Sequence, residues 1–412
     1  MAALVLRKYK PKVVMVTGSV GKTSTKDAVG LALGATNLVR ASEKSFNSEL
    51  GVPLTVLGVK NPWNSPLAWV HVFLEGWALL LFPNHYPKLL VLEVGADHPG
   101  DLAKILKIAT PDAVVVTRLP AVPVHVEAYA TPDAVREEEF LPAYALAAGS
   151  PLVVSADDEY ALALARPLGA ARTTFGFAEG ADVHISQVHV MREEGRPIGM
   201  QAVAQVAGKG YPLRVSSILG RTALLAPAAA LAVAHALQVP LEDVCYALAA
   251  YTPAPGRGRL LRGVEDTVLI DDTYNASPAA VEEALAALEL LPGQRHIAVL
   301  GDMLELGRYS ISEHERIGKL AAHHAQVLIT VGTRARGMAS AAVAHGMPPE
   351  AVHSYETTEE ATAFVQSLLR PGDAVLLKAS QGIRLERMAE ALLADPADRT
   401  LLPRQDDEWL RR

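Results

Sequence analysis

A single cysteine, Cys245, in 412 residues excludes an internal disulfide and any thiolate zinc cluster, since each needs at least two. Thiol scarcity of this kind fits a reducing compartment, and the expected location is cytoplasmic. No long basic block occurs, and 38 Lys and Arg stand against 45 Asp and Glu, a net charge of −7 that argues against nucleic acid as a partner. The first ten residues turn basic at Arg7 and Lys8, too soon for a secretory signal. No apolar run reaches the roughly 20 residues that span a bilayer. The nearest, Pro66–Pro83, is interrupted by His71, Glu75 and Gly76 and reads as a buried or partner-facing helix. Internal repeats and low-complexity tracts are also missing, and the 27 prolines and 30 glycines are spread along the chain. Disordered and collagen-like classes are thereby excluded, and half of the residues are hydrophobic, ample for two or three packed units.

Short β-branched runs alternate with helical stretches, the pattern of a parallel sheet covered on both faces. Strands are expected at 13–17, 89–94, 113–117 and 152–155, and again at 268–271, 297–300, 327–331 and 374–377. Between Asp182 and Val215 apolar and polar residues alternate and Gly-rich turns intervene, which reads as an antiparallel meander added to the first sheet. Alanine- and leucine-rich helices follow over 224–238 and 241–251. Thr252-Pro-Ala-Pro-Gly-Arg-Gly-Arg259 then breaks all periodicity. The boundary is placed there, giving a P-loop parallel-sheet ATPase domain over 1–253 and a smaller, doubly wound, Rossmann-like α/β domain over 254–412. The tail after Asp395 reads as peripheral.

Chemistry is announced first at Val13-Val-Met-Val-Thr-Gly-Ser-Val-Gly-Lys-Thr-Ser-Thr25, a buried strand running through a glycine turn into a helix. Such a turn aims backbone N–H groups and a helix N-terminus at an anion; Lys22 adds a mobile charge and Thr23 a hydroxyl for Mg²⁺. Gly18, Ser19, Gly21, Lys22, Thr23 and Ser24 are therefore expected to cradle the phosphates of ATP. The glycine of the general motif at position 16 is absent, and Gly18 leaves the shorter form Gly-x-x-Gly-Lys-Thr.

That shortened loop resembles the Mur ligase family, and the likeness covers nearly the whole chain. Ser45-Phe-Asn-Ser-Glu-Leu-Gly-Val-Pro-Leu-Thr55, Leu92-Glu-Val-Gly-Ala96 and His125-Val-Glu-Ala-Tyr129 are similar to further family segments. Asp271-Asp-Thr-Tyr-Asn-Ala-Ser-Pro278, Val299-Leu-Gly-Asp-Met-Leu-Glu-Leu-Gly307 with His314, and Lys378-Ala-Ser-Gln-Gly-Ile-Arg-Leu-Glu386 resemble the branch that adds D-alanyl-D-alanine to a UDP-linked muramoyl tripeptide. The resemblance implies ATP- and Mg²⁺-dependent amide-bond formation through an acyl phosphate, with a small-molecule carboxylate and an amine as substrates. Two other readings stay open. One is a ligase for a carboxylate outside the cell wall, of polyglutamate or cyanophycin type, and the other is a non-catalytic ATP-binding partner subunit. A simple kinase would have no use for the motifs of the second domain.

The resemblance also distributes roles. Glu93 and His125, with Thr23, are expected at the metal, and Asn47 at the nucleotide. Arg257, in the linker, is expected to reach back to the γ-phosphate when the domains close. Asp271, Asp272 and Asn275 are expected to hold the ribose and base of ATP, with turn capping as the plainer alternative. Asp302, Glu305 and Lys378 are expected to meet substrate. Where the family has a carbamylated lysine, this chain has Glu139 in the run Arg136-Glu-Glu-Glu-Phe140, so Glu139, or its neighbour Glu138, is expected to supply the negative oxygen directly. A solvated glutamate face is the plainer alternative.

Two departures accompany the likeness. Enzymes of this branch carry a further N-terminal domain that grips the uridine nucleotide, whereas here only twelve residues precede Val13. An insert at 61–87 holds three of the four tryptophans, and Trp69, Phe73 and Trp77, spaced by four, share a helical face. Core packing is the default expectation for that face, and a docking surface for a partner or a lipid-linked precursor the alternative.

Overall fold

The computed structural model describes residues 1–43, 46–169, 171–292, 294–406 and 409. Ser45, the first residue of the Asn47 segment, lies outside the described residues.

Nine strands make the first sheet: β1 (Lys12–Thr17), β2 (Val39–Ala41), β3 (Leu89–Glu93), β4 (Ala113–Val116), β5 (Pro151–Ser155), β6 (Ala171–Gly176), β7 (Val183–Glu193), β8 (Arg196–Val206) and β9 (Lys209–Ser216). Their spatial order is β2-β3-β1-β4-β5-β6-β7-β8-β9. Pairing is parallel from β2 to β7 and antiparallel through β7, β8 and β9, so the meander extends the sheet at one edge. The central strands are buried on both faces, which is why they read as unbroken apolar runs.

Alternate residues of those strands feed two cores. Val14, Val16, Val91 and Val115 face α2 (Lys22–Gly34 in the chain) and the alanine-rich helix Leu225–Ala236. Met15, Leu90, Leu92 and Val114 face α1 (Ala2–Tyr9), α3 (Gly51–Leu57), α4 (Pro66–Leu81), α5 (Asp101–Leu106) and α6 (Pro132–Tyr144); here α1 is an ordered helix ahead of the first strand.

The second sheet has six strands: β10 (Arg259–Arg262), β11 (Val268–Asp272), β12 (His296–Gly301), β13 (Val327–Val331), β14 (Val352–Tyr355) and β15 (Ala374–Lys378). The order is β10-β11-β15-β12-β13-β14, parallel except for β10. The two sheets are not separate bodies. One buried cluster runs from Val14 and Ala229 through Ile218 and Tyr251 to Ile270, Leu285 and Leu300, and Leu260 N–H donates to the Ser217 carbonyl across the junction (2.9 Å).

Two expectations are corrected. The tail beyond Asp395 is not peripheral: Leu402 and Arg404 are buried, and Arg404 donates to Glu386 (3.0 Å) while stacking over Tyr274. A polar sequence there hid an arginine whose charge is paired inside. The aromatic face of the insert helix is core-packed only in part: Trp69 is half-buried against the core, whereas Phe73 and Trp77 are each 55% exposed. The fully buried residues of α4 are Val72, Gly76 and Leu79, about a quarter turn around the helix from the aromatic stripe.

Candidate active site

Register assembles the site. In the parallel pairing Val16 lies beside Glu93 and Thr17 beside Val116, so three strand ends meet at one edge, the edge where ligands gather in open α/β sheets. The chain leaves β1 through Gly18 (φ +116°), where a β-carbon would lie 2.4 Å from Thr117 Oγ1. Gly21 (φ +86°) caps α2 with open space before it, so backbone N–H groups and the helix N-terminus face a vacant approach. Ser19 N–H donates to the Arg118 carbonyl (2.8 Å), which pins the turn to the β4 exit.

Lys22 folds back over this turn. Its Nζ donates to the Gly18 carbonyl and lies 3.3 Å from Glu139 Oε1. Glu139, 2% exposed, also accepts from Thr17 Oγ1 (2.9 Å) and Gly18 N–H (3.3 Å). The three consecutive glutamates of α6 thus part company, because successive helical positions point about 100° apart. Glu137 meets Tyr144 at the surface, Glu138 accepts from Gly100 N–H and Leu102 N–H at the start of α5, and Glu139 alone enters the glycine turn. The solvated-face alternative is overturned for Glu139, and Glu138 is occupied as a helix cap.

Glu93, also 2% exposed, accepts from Thr23 Oγ1 at Oε1 (3.2 Å), whereas Oε2 has no hydrogen-bond partner among the described residues. Burial raises its pKa, opposed by the charges of Arg257, Lys22 and Lys26. A buried, half-satisfied carboxylate beside a threonine hydroxyl is a donor set that suits a hard cation, and Mg²⁺ takes one or two protein oxygens with phosphate and water completing its shell. Among the described residues no cluster of three or more His, Cys, Asp or Glu is arranged to hold a metal by itself. Ser19 Oγ is a second buried oxygen at this edge lacking a partner among the described residues.

Among the described residues His125 (φ +64°) makes no hydrogen bond or ion pair with Glu93. Its Nδ1 lies 2.9 Å from Glu305 Oε2 of the second unit and its Nε2 3.4 Å from Asp97. Burial works against the imidazolium, but the hydrogen bond and charge of Glu305, with Asp97, outweigh it and raise the His125 pKa; His125 in turn lowers that of Glu305. Glu305 is accordingly engaged across the junction. Backbone contacts reinforce the same place: Glu127 N–H donates to the Glu305 carbonyl (3.4 Å) and Arg308 to the Ala130 carbonyl (3.1 Å).

Arg257 reaches the glycine-loop helix. It donates to Thr23 Oγ1 (3.0 Å) and lies over the Tyr274 ring (4.3 Å). Gly95 lets two side chains approach, since a β-carbon there would stand 3.2 Å from Asn47 Nδ2 and 3.3 Å from Lys22 Nζ. Ser24 offers its carbonyl to the Tyr251 hydroxyl (3.3 Å).

The second-unit residues divide. Asp271 is fully buried, its oxygens taken by Thr273 Oγ1 (2.6 Å) and Gly256 N–H (3.1 Å), and burial pushes its pKa up to about 6. Its carboxylate fastens the linker, as the turn-capping alternative held. Asp272 pairs with buried Lys378 (2.5 Å), which also donates to the Asn275 carbonyl (3.1 Å), and Asn275 itself is exposed. Asp302 accepts from Ala335 N–H (2.7 Å). His314 holds the Met303 N–H at Nε2 (3.1 Å), and burial lowers its pKa.

The sequence reading passed over Asp97, the partner of His125, and Tyr129, whose buried hydroxyl lacks a hydrogen-bond partner among the described residues. Asp97 follows directly on the Glu-Val-Gly-Ala segment and Tyr129 closes the His125 segment, so adjacency was the available signal.

The Mur ligase middle domain matches residues 74–234, and the Mur ligase, glutamate ligase domain, matches residues 256–381. The UDP-N-acetylmuramoyl-tripeptide–D-alanyl-D-alanine ligase of Mycobacterium tuberculosis (strain CDC 1551) is 30% identical over 406 residues, covering 93% of this chain and 73% of that protein. Its Bacillus subtilis counterpart is 26% identical, covering 96% and 79%. Among solved structures, MurF ligase from Thermotoga maritima in complex with ADP superposes with a TM-score of 0.76 at 26% identity, covering 94% of this chain and 81% of that one.

Proposed function

The chain belongs to the Mur ligase family, and on that premise we propose that it is an ATP-dependent ligase adding D-alanyl-D-alanine to the carboxylate of a peptidoglycan precursor. The enzyme forms a C–N bond. The precursor carboxylate takes the γ-phosphoryl group of ATP and ADP leaves; the amine nitrogen then attacks the acyl carbon, expels phosphate and gives up a proton. Phosphoryl transfer of this kind needs positioning and charge neutralisation rather than a nucleophilic side chain, which agrees with a site built of Lys22, Arg257, Glu93 and Glu139.

In this reading residues 1–253 bind the nucleotide phosphates at the P-loop, and residues 254–412 close over them. Gly18, Ser19, Gly21, Thr23 and Ser24 line the phosphate path, with Asn47 beside Lys22. Arg257 serves as the charge clamp, supported by its bond to Thr23 across 234 residues of sequence. Thr23 and Glu93 would hold Mg²⁺, which supplies electrostatic relief for the phosphates; His125, with Asp97 and Glu305, lies at the mouth between the units. Asp272, Asn275 and Lys378 lie at the second sheet's ligand edge, where the adenosine end of ATP would rest, and Asp271 holds that edge in place. Glu139 fixes the Lys22 ammonium and the turn together, and it offers a negative oxygen at the place where the family has a carbamylated lysine.

The observation that carries the reading is the Thr23 hydroxyl between the half-satisfied Glu93 carboxylate and the linker guanidinium. Phosphate release from ATP and Mg²⁺ tests it, using UDP-muramoyl tripeptide with and without D-alanyl-D-alanine. Release only with the complete pair is expected. Release with another acid–amine pair would move the enzyme to a different acceptor, and ATP binding with no turnover for any pair would make it a binding subunit.

A further inference from the structure

Helix α4 is apolar on both sides, although one side has no cover. Val72, Gly76 and Leu79 pack inward against α1 and α3, with the Met1 side chain lying against Gly76, where a β-carbon would stand 1.8 Å from Met1 Sδ. The outward side carries Leu67 (83% exposed), Val70, Phe73, Leu74, Trp77 and Leu81. A helix hydrophobic all round is ordinarily buried, and exposed apolar patches of this size mark binding surfaces. Beside it, a cavity of about 250 Å³ opens between α1, α3 and α4, lined by Met1, Leu50, Pro53, Leu57, Trp69 and Phe73.

The charges around the helix indicate what covers it. Residues 1–12 contain Arg7, Lys8, Lys10 and Lys12 with no acid, and residues 60–88 contain Lys60 and Lys88 against Glu75 alone. These two segments therefore carry six cations to one acid in a chain of net charge −7, with Asp112, which accepts from Val13 N–H, a further acid beside Lys12. Lys8 is committed to the structure, its Nζ donating to the carbonyls of Leu79 (2.8 Å) and Phe82 (2.9 Å) at the C-terminal end of α4. Lys10, Lys12 and Lys88 stand exposed at that same end, where Lys12 N–H bonds the Lys88 carbonyl, and Lys60 stands exposed ahead of the other end. A second copy of the chain would bring two such cationic rims together, which opposes a symmetric dimer. Anionic headgroups complement the rim, and tryptophans beside an apolar stripe are the pattern of helices lying in a bilayer interface.

We propose that α4, framed by α1, is a peripheral docking face for an anionic phospholipid bilayer, with the apolar stripe in the acyl boundary and the cations against the headgroups. The helix lies on the membrane rather than crossing it; among the described residues no helix is long and apolar enough to span one. The proposal stands apart from the ligase reading, because its readout is lipid binding.

The test is flotation of the full chain with phosphatidylcholine vesicles, with and without phosphatidylglycerol, alongside tryptophan emission, since Trp63, Trp69 and Trp77 sit on or beside this face. Expected are co-flotation and a blue shift with the anionic vesicles only, both weakened by salt. Leu74→Gln with Trp77→Gln, and separately Lys10→Glu with Lys12→Glu, should each lower the vesicle partition coefficient at least about tenfold, since each buried apolar group or basic residue contributes on the order of 1 kcal/mol. Both side-chain pairs are exposed, so an unchanged melting temperature confirms folding; should the apolar variant misfold, the charge variant and the salt series decide. Absence of binding at low salt, or binding that both variants retain, overturns the proposal. A dimer abolished by the apolar variant without vesicle binding also overturns it, in favour of a second copy.

Discussion

At the scale of single residues, the most consequential arrangement is the Lys22–Glu139 pair inside the glycine turn. Replacing Lys22 by Met should cut ATP turnover by roughly 10²–10³, the scale of losing one preorganised charge contact in a transition state. Glu139→Gln keeps the size and one acceptor but drops the charge, and turnover should fall at least about tenfold, with a shifted Mg²⁺ optimum in phosphate-release assays. Retention of full activity and Mg²⁺ dependence would leave Glu139 as a packing residue. Gly18→Ala forces a β-carbon to within 2.4 Å of Thr117 Oγ1 at φ +116°, a backbone and steric cost of about 2–4 kcal/mol that denaturant unfolding should read. The sequence announced Lys22 and Gly18 by spacing alone. It could not separate Glu137, Glu138 and Glu139, whose different fates depend on which way α6 is rotated against β1.

At the scale of elements, the turn holding Glu305 meets the segment 125–130 through an ion pair whose strength depends on pH. His125 is held protonated above its ordinary pKa, so its contribution is complete below about 6.5 and is lost as pH climbs through the raised value. Glu305 is held ionised below its ordinary pKa, so its contribution is complete above about 4.5 and is lost as pH falls through the lowered value. The contact should be firmest between those limits, and a distance probe across the two units should show looser association as pH rises through the raised His125 value, a trend that His125→Asn flattens. Strands proved legible where both faces are buried: β1, β3, β4, β11, β12, β13 and β15 all fall within a residue or two of the expected runs. β2 has three residues, β6 begins with exposed Ala171 and Arg172, and β10 and β14 are half-covered edges, so none has an apolar signature. The aromatic period of α4 was visible, but periodicity alone does not tell an inward stripe from an outward one.

At the scale of the whole molecule, the two sheets share one buried cluster, and Arg118 of the first unit pairs with Glu283 of the second (2.7 Å). Calorimetry and circular dichroism should therefore trace one coincident unfolding transition rather than two, and Mg²⁺ with ATP at 100 times its dissociation constant should add about 2.7 kcal/mol to it. Independent transitions would mean that the junction contributes little. The bond from Arg257 to Thr23 spans 234 residues, which sets an order of events during synthesis. At roughly 5–20 residues per second, the loop that grips phosphate leaves the ribosome roughly 10–50 s before the arginine that completes it. For that interval the nascent chain owns a nucleotide cradle without its clamp, so the growing polypeptide cannot complete its phosphate grip until residue 257 of 412 has been made.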